Sequence, residues 1–206
     1  MSVQMIEFAL AYSKLGWHVF PCYPMRGQVC GCGRVQCNSP GKHPATDNGL
    51  SEATTDEAQI RAWWGAMPDA SIGVHMERSG MCALDLDQYH GDLEKLQVLE
   101  QTLGPLPTTP LQLSGSGEGY HAVFKAPGFP VKGVIGGIVV RAKAYIIVAP
   151  SNHASGGHYT WQEGCGPTDI PVAEFPDTWE VALEKKAEVG NAGAPTDEPG
   201  WPRAIP

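Results

Sequence analysis

Apolar residues recur at helical spacing over residues 3–16, at Met5, Ile6, Leu10, Ala11 and Leu15, and Gly16 stands where such a helix would end. Trp17-His18-Val19-Phe20 reads as a strand stopped by Pro21, after which periodicity is lost over residues 21–50. It returns in a helix opened by Thr54-Thr55-Asp56, with Ile60, Trp63 and Trp64 on one face and an end before Pro68. Ser71–Val74 and Gly80–Asp87 read as strands, and Leu93–Leu103 as a helix closed by Gly104-Pro105. Leu111–Ser114 and Tyr120–Lys125 flank a glycine-rich turn. Val134–Arg141 and Ala144–Ala149 have the pattern of paired strands, and Tyr159–Trp161 that of a short one. Phe175–Val189 is helical in pattern, and residues 190–206 read as an extended or disordered tail. There are no internal repeats. Strands and helices interleave without strict βαβ order, which predicts an α+β domain.

Within this pattern, Met81-Cys82-Ala83-Leu84-Asp85-Leu86-Asp87 stands out as an apolar run ending in two carboxylates. It reads best as a buried strand, although periodicity alone does not separate it from a turn of buried helix. On a strand Asp85 and Asp87 share a face, with Cα atoms about 6 to 7 Å apart, while Leu86 points into the core. Two carboxylates so placed repel each other and are costly to desolvate, so a cation belongs beside them. Mg²⁺ or Mn²⁺ is the first candidate.

Composition changes this picture in three ways. With 206 residues and 42% hydrophobic content the chain can bury the core of one domain, and its 25 Gly and 18 Pro predict many turns. No apolar run reaches the length of a membrane span, and the N-terminus lacks a basic and apolar leader, so a cytoplasmic setting is expected. In that reducing setting the six cysteines are thiols or metal ligands rather than disulfides. The net charge of −8 argues at first against nucleic acid, but nine acids against three bases fall from Glu163 onward. Between Glu118 and Glu163 there is no acid, only Lys125, Lys132, Arg141 and Lys143, so the middle of the chain can face phosphates.

Cys30, Cys32, Cys37 and His43 form a C-x-C-x4-C-x5-H set in the polar segment 21–50. Three thiolates and an imidazole suit a closed, structural tetrahedral Zn²⁺ site, with Cys22 as an alternative ligand. Free surface thiols are the plainer alternative. Ser114-Gly115-Ser116-Gly117-Glu118-Gly119 offers glycine N–H groups and serine hydroxyls to an anion, and His121 follows at the strand start. The segment lacks the lysine of a P-loop, and a plain hairpin would look the same. Arg141 and Lys143 share one face of the expected strand, where they can meet phosphates or simply solvent. Trp63 and Trp64 fit core packing better than base stacking.

Taken in order, these segments resemble the bifunctional DNA primase/polymerase (prim-pol) family of the archaeo-eukaryotic primase superfamily, whose members commonly come from phages and plasmids. The resemblance runs over roughly residues 5–180. It is carried by Ala9–Tyr12 through Gly16–Pro21, by Cys30-Gly31-Cys32-Gly33 with Cys37 and Ser39–Pro44, and by Ala53–Asp56 with Trp63-Trp64. Pro68–Gly73, Leu84–Asp87, Ser114–Gly117 with His121, and Val148–Ser151 leading to Tyr159–Trp161 complete it. It implies a catalytic domain over residues 1–185, with an RRM-like sheet, flanking helices, a zinc-binding insertion at 21–50 and a Gly/Pro-rich tail at 186–206. It implies DNA template and primer, nucleoside triphosphates and a replicative helicase as partners. By the same resemblance, Asp85 and Asp87 bind the catalytic Mg²⁺ or Mn²⁺, and His121 joins the catalytic centre. Ser114, Gly115, Ser116, His121 and Arg141 hold the triphosphate, and Cys30, Cys32, Cys37 and His43 hold Zn²⁺.

One departure matters. The family places a third metal-binding acid two residues before the arginine matching Arg141, and this chain has Val139 there. The expectation is therefore a nucleotidyltransferase that polymerises slowly or not at all. The rivals are a binding module of the same fold that has lost the chemistry and a zinc-stabilised protein-interaction domain.

Overall fold

A computed structural model describes residues 4–127 and 133–184 of the chain. The tail expected from residue 186, Lys132 and the end of the helix expected over Phe175–Val189 lie outside those residues. The elements run α1 (Met5–Lys14), β1 (Val19–Cys22), β2 (Met25–Arg26), β3 (Val29–Cys30), α2 (Glu57–Ala66), β4 (Ser71–His75) and β5 (Met81–Asp87). They continue α3 (Asp92–Leu103), β6 (Leu111–Leu113), β7 (Gly119–Lys125), β8 (Val134–Ile135), β9 (Ile138–Arg141), β10 (Tyr145–Val148), β11 (Thr160–Trp161), β12 (Ala173–Glu174) and α4 (Asp177–Glu184). The domain is thus mixed α and β, with mostly antiparallel sheets.

The larger sheet has the order β11-β6-β7-β5-β9-β8, with β12 added in parallel to β7. Its even β5 positions, Cys82, Leu84 and Leu86, are buried with Leu96 and Leu99 of α3 and Trp179 of α4. Each such aliphatic side chain contributes about 1.5–3 kcal/mol by leaving water. On the odd face Met81 and Ala83 enter a second core, shared with α1, α2, Val19 of β1, Val74 of β4 and Ile146 of β10. Where that core ends, the same face continues as Asp85 and Asp87, which are only partly covered. One strand therefore anchors the domain with its apolar half and offers two carboxylates with the other.

Several expectations need correction. Val134–Arg141 is not one strand but a tight hairpin. Gly136 and Gly137 take φ of 53° and 91°, a reversal that side-chain-bearing residues rarely allow. The strand at Ala144–Ala149 does not pair with it: β10 pairs with β4, which also pairs β1, in a separate three-stranded sheet. Lys143 follows the end of β9 and so does not share a strand face with Arg141. Pro21 does not stop β1. It sits within this edge strand opposite Ile72, and its carbonyl accepts the Ala45 N–H, so the missing N–H costs no ladder bond. The unpatterned segment 21–50 contains a small hairpin of β2 and β3 turning at Gly27. As the spacing of α2 implies, Trp64 is buried, donating its indole N–H to the Ala70 carbonyl at 3.1 Å.

Candidate active site and metal centre

The chemistry-bearing residues lie along one rung of the large sheet. Trp161 of β11 pairs with Gln112 of β6, Gln112 with His121 of β7, His121 with Asp85 of β5, and Asp85 with Val139 of β9. Directly opposed residues share a face with Cβ atoms about 5 Å apart, so His121 and Val139 flank Asp85 on either side. Arg141, two residues along β9 from Val139 and opposite Ala83, reaches diagonally. Its Nε and a terminal nitrogen both donate to Asp85 Oδ2, at 3.0 and 2.8 Å. His121 Nε2 lies 3.3 Å from Asp85 Oδ1. Burial alone would raise the Asp85 carboxyl, but His121 and Arg141 outweigh it and hold the group at about 2.

His121 is itself held. Gln112 is fully buried, its side-chain N–H₂ donating to the Ile147 carbonyl at 2.7 Å and its oxygen accepting the Ala149 N–H at 3.1 Å. Those two backbone partners fix which end of the amide is which. The remaining amide hydrogen faces His121 Nδ1 at 2.8 Å, so Nδ1 accepts and the ring proton sits on Nε2, toward Asp85. Tyr159 stacks behind the ring at 6.2 Å. Asp87 is steadied by Asp92, a buried carboxylate at the start of α3 that accepts the Asp87 N–H at 3.1 Å and pairs with Lys95 at 2.7 Å. The Asp87 carboxylate in turn accepts the Tyr89 N–H at 3.0 Å.

These groups open on a cleft of about 700 Å³ whose lining includes Asp85, Asp87, Ser114, Ser116, His121 and Arg141. The two serine hydroxyls are 2.7 Å apart. Gly115 is not among the lining residues; a Cβ there would lie 2.2 Å from that of His153, so its glycine lets the 151–159 loop close against the turn. Lys42, Tyr145, His153 and Tyr159 also line the cleft. Sequence reading passed over these four and Gln112. Lys42 and Tyr159 fall within Ser39–Pro44 and Tyr159–Trp161 with no role of their own, and Gln112 left a trace as a lone polar residue in the apolar run Leu111-Gln112-Leu113.

The second cluster lies in the 21–50 segment. One ligand atom each from Cys30, Cys32, Cys37 and His43 falls within 4.8 Å of the others, a spread that a tetrahedral Zn²⁺ can draw together. Cys30 Sγ is 3.4 Å from His43 Nε2. Burial would raise the Cys30 thiol, yet the N–H groups of Cys32 and Gly41 and the Cys32 and His43 side chains bring it down to about 6, which favours a thiolate ligand. Cys22, the alternative ligand, is buried in β1 outside the cluster, and burial raises its thiol. Among the described residues this is the one group of three or more His, Cys, Asp or Glu ligands close enough to hold a metal; Asp85 and Asp87 remain a pair. No helix of the described residues is long and apolar enough to cross a membrane.

Comparison with known families decides the lineage. Residues 9–178 match the model of the Prim-Pol family, described as bifunctional DNA primase/polymerase, N-terminal. The chain belongs to this family. A comparison with curated proteins finds no match. Prim-Pol membership carries chemistry of the primase/polymerase nucleotidyl-transfer type, with DNA and nucleotides as the substrate classes and metal as a requirement. The matched span includes the cleft rung and the cysteine–histidine cluster.

Proposed function

We propose that this chain is a primase-type catalytic domain that binds a nucleoside triphosphate with Mg²⁺ or Mn²⁺ and transfers nucleotides to a DNA-templated primer slowly, because Val139 stands where a third metal-binding acid would. The observation that carries this reading is the rung Gln112–His121–Asp85–Val139, whose His121 and Asp85 line a cleft that also includes Asp87, Arg141 and the two serines. Bound to Asp85 and Asp87, divalent ions would lower the pKa of the primer 3′-hydroxyl and neutralise the departing pyrophosphate. Ser114 and Ser116 donate hydroxyl hydrogen bonds to phosphate oxygens. His121, with its proton on Nε2, and Arg141 do the same, moving from Asp85 to the triphosphate. That exchange frees both Asp85 oxygens for the ion, so triphosphate and metal assist each other's binding. The sheet around this rung is read as the RRM-like core of the primase superfamily, and Cys30, Cys32, Cys37 and His43 as its structural zinc site. Cytoplasmic replication alongside a helicase, in a phage or plasmid setting, fits the same reading.

A binding module that has lost the chemistry remains the second reading, favoured by one observation. Arg141 and His121 occupy both oxygens of Asp85, and Val139 beside it offers no carboxylate. Calorimetric titration with dATP and Mn²⁺ tests what the two readings share. Saturable binding of one dATP per chain is expected, weakened at least about tenfold by His121→Ala, the loss of one charge-assisted hydrogen bond. No binding to the folded, zinc-loaded chain would contradict both and leave the zinc-stabilised interaction domain.

A further inference from the structure

The zinc loop does more in this fold than brace itself. Between its ligands Cys37 and His43 lie Ser39 and Lys42, and both line the cleft that contains Asp85 and His121. Lys42 is held at its backbone, its N–H donating to the Ser39 carbonyl at 3.1 Å. Its carbonyl accepts the Tyr145 phenol at 2.6 Å, and Tyr145 belongs to β10 and to the cleft wall. Its neighbour His43 is a member of the cluster, and the His43 carbonyl accepts the Tyr23 N–H at 3.0 Å. The other cleft cation, Arg141, is already committed to Asp85. Among the described residues the Lys42 ammonium has no carboxylate within salt-bridge distance, although Asp85 and Asp87 lie within its electrostatic reach.

We propose that Lys42 is a phosphate-binding residue for the incoming nucleoside triphosphate, and that the cysteine–histidine loop, once it holds zinc, positions it for that task. The assignment rests on the nucleotide-binding reading above and adds a residue and a coupling to it. A triphosphate carries more negative charge than Arg141 can balance, and a lysine ammonium is a compact donor suited to phosphate oxygens. Metal binding at His43 and Cys37 restrains the chain on either side of Lys42, so less freedom is lost when the ammonium meets its anion. By linkage, triphosphate binding must then tighten zinc binding by the same factor.

The test is calorimetric titration of the zinc-loaded full chain with dATP and Mn²⁺, with inorganic tripolyphosphate as a competitor that lacks a base. Lys42→Met keeps the stem and removes the charge. It is expected to weaken dATP and tripolyphosphate alike, by roughly tenfold, with an unchanged melting temperature. Cys37→Ser, which impairs zinc loading, is expected to weaken dATP similarly and to add nothing on top of Lys42→Met. Where Cys37→Ser does not fold, Tyr145→Phe removes the phenol holding the Lys42 carbonyl and is expected to show the same non-additivity. Equal dATP affinity in Lys42→Met and the unaltered chain overturns the assignment and leaves the nucleotide reading standing. A loss confined to primer–template binding, or additive losses in the double variant, also overturns it. An unaltered chain that binds no dATP overturns the nucleotide reading itself.

Discussion

At the scale of single residues, the site depends on how neighbours set the state of two side chains. Asp85 is ionised at about 2 because His121 and Arg141 outweigh its burial. A carboxyl depressed in the folded state contributes stability that is complete above its unfolded value near 3.9 and is lost as pH falls toward the folded value. In the metal-free protein, Asp85 therefore adds on the order of 2 kcal/mol at neutral pH, lost between about pH 4 and pH 2. Urea melts across that range should show an acid limb that flattens in Asp85→Asn; an unchanged limb would contradict the pairing. Gln112 is the second case. Gln112→Leu leaves the buried Ile147 carbonyl and Ala149 N–H without their partner and frees the His121 ring. A loss of roughly 2–4 kcal/mol in denaturant unfolding is expected, and the Nδ1 signal of His121 in nitrogen-15 NMR should shift as the fixed tautomer is lost.

At the scale of elements, strand β5 was the most legible part of the sequence. Its apolar run and paired aspartates report both a buried face and a polar one, and the structure has that strand at the centre of the large sheet. The partners of Val134–Arg141 were not legible. Whether an apolar segment pairs with its neighbour in sequence or with β4 depends on long-range packing, and the alternation along Tyr145–Val148 is the same in either case. Gln112 and Lys42 carry no expected role for a related reason: Gln112 belongs to no motif, the Ser39–Pro44 segment does not tell what Lys42 faces, and each matters only through residues distant in sequence. The cysteine–histidine spacing, by contrast, is local, and its ligands do converge. Metal analysis of the purified chain should find one zinc per chain, and Cys30→Ser should reduce it sharply. A zinc-free chain of unchanged melting temperature would argue against a structural site. The turn at Gly115 offers a steric check. Gly115→Ala places a methyl 2.2 Å from His153 Cβ, so one loop must move, and a cost of about 1–3 kcal/mol is expected in thermal or denaturant melts.

At the scale of the whole molecule, the walls of the cleft come from distant parts of the chain. β5, β7 and β9 contribute the acids, the imidazole and the guanidinium, while the 21–50 segment contributes Lys42. The family match covers nearly all the described residues, so the cleft is that of a Prim-Pol domain, and in the proposed function its activity turns on Val139 beside Asp85. In the proposed function this one position limits the chemistry of an otherwise assembled site. Primer extension on a DNA template, with Mg²⁺ and with Mn²⁺, tests it by comparing the chain as it stands with Val139→Asp. Slow extension by the first is expected, with a rate at least about tenfold higher in the second, equivalent to ~1.4 kcal/mol of barrier. Fast extension by the unaltered chain, with no gain from the added carboxylate, would contradict it.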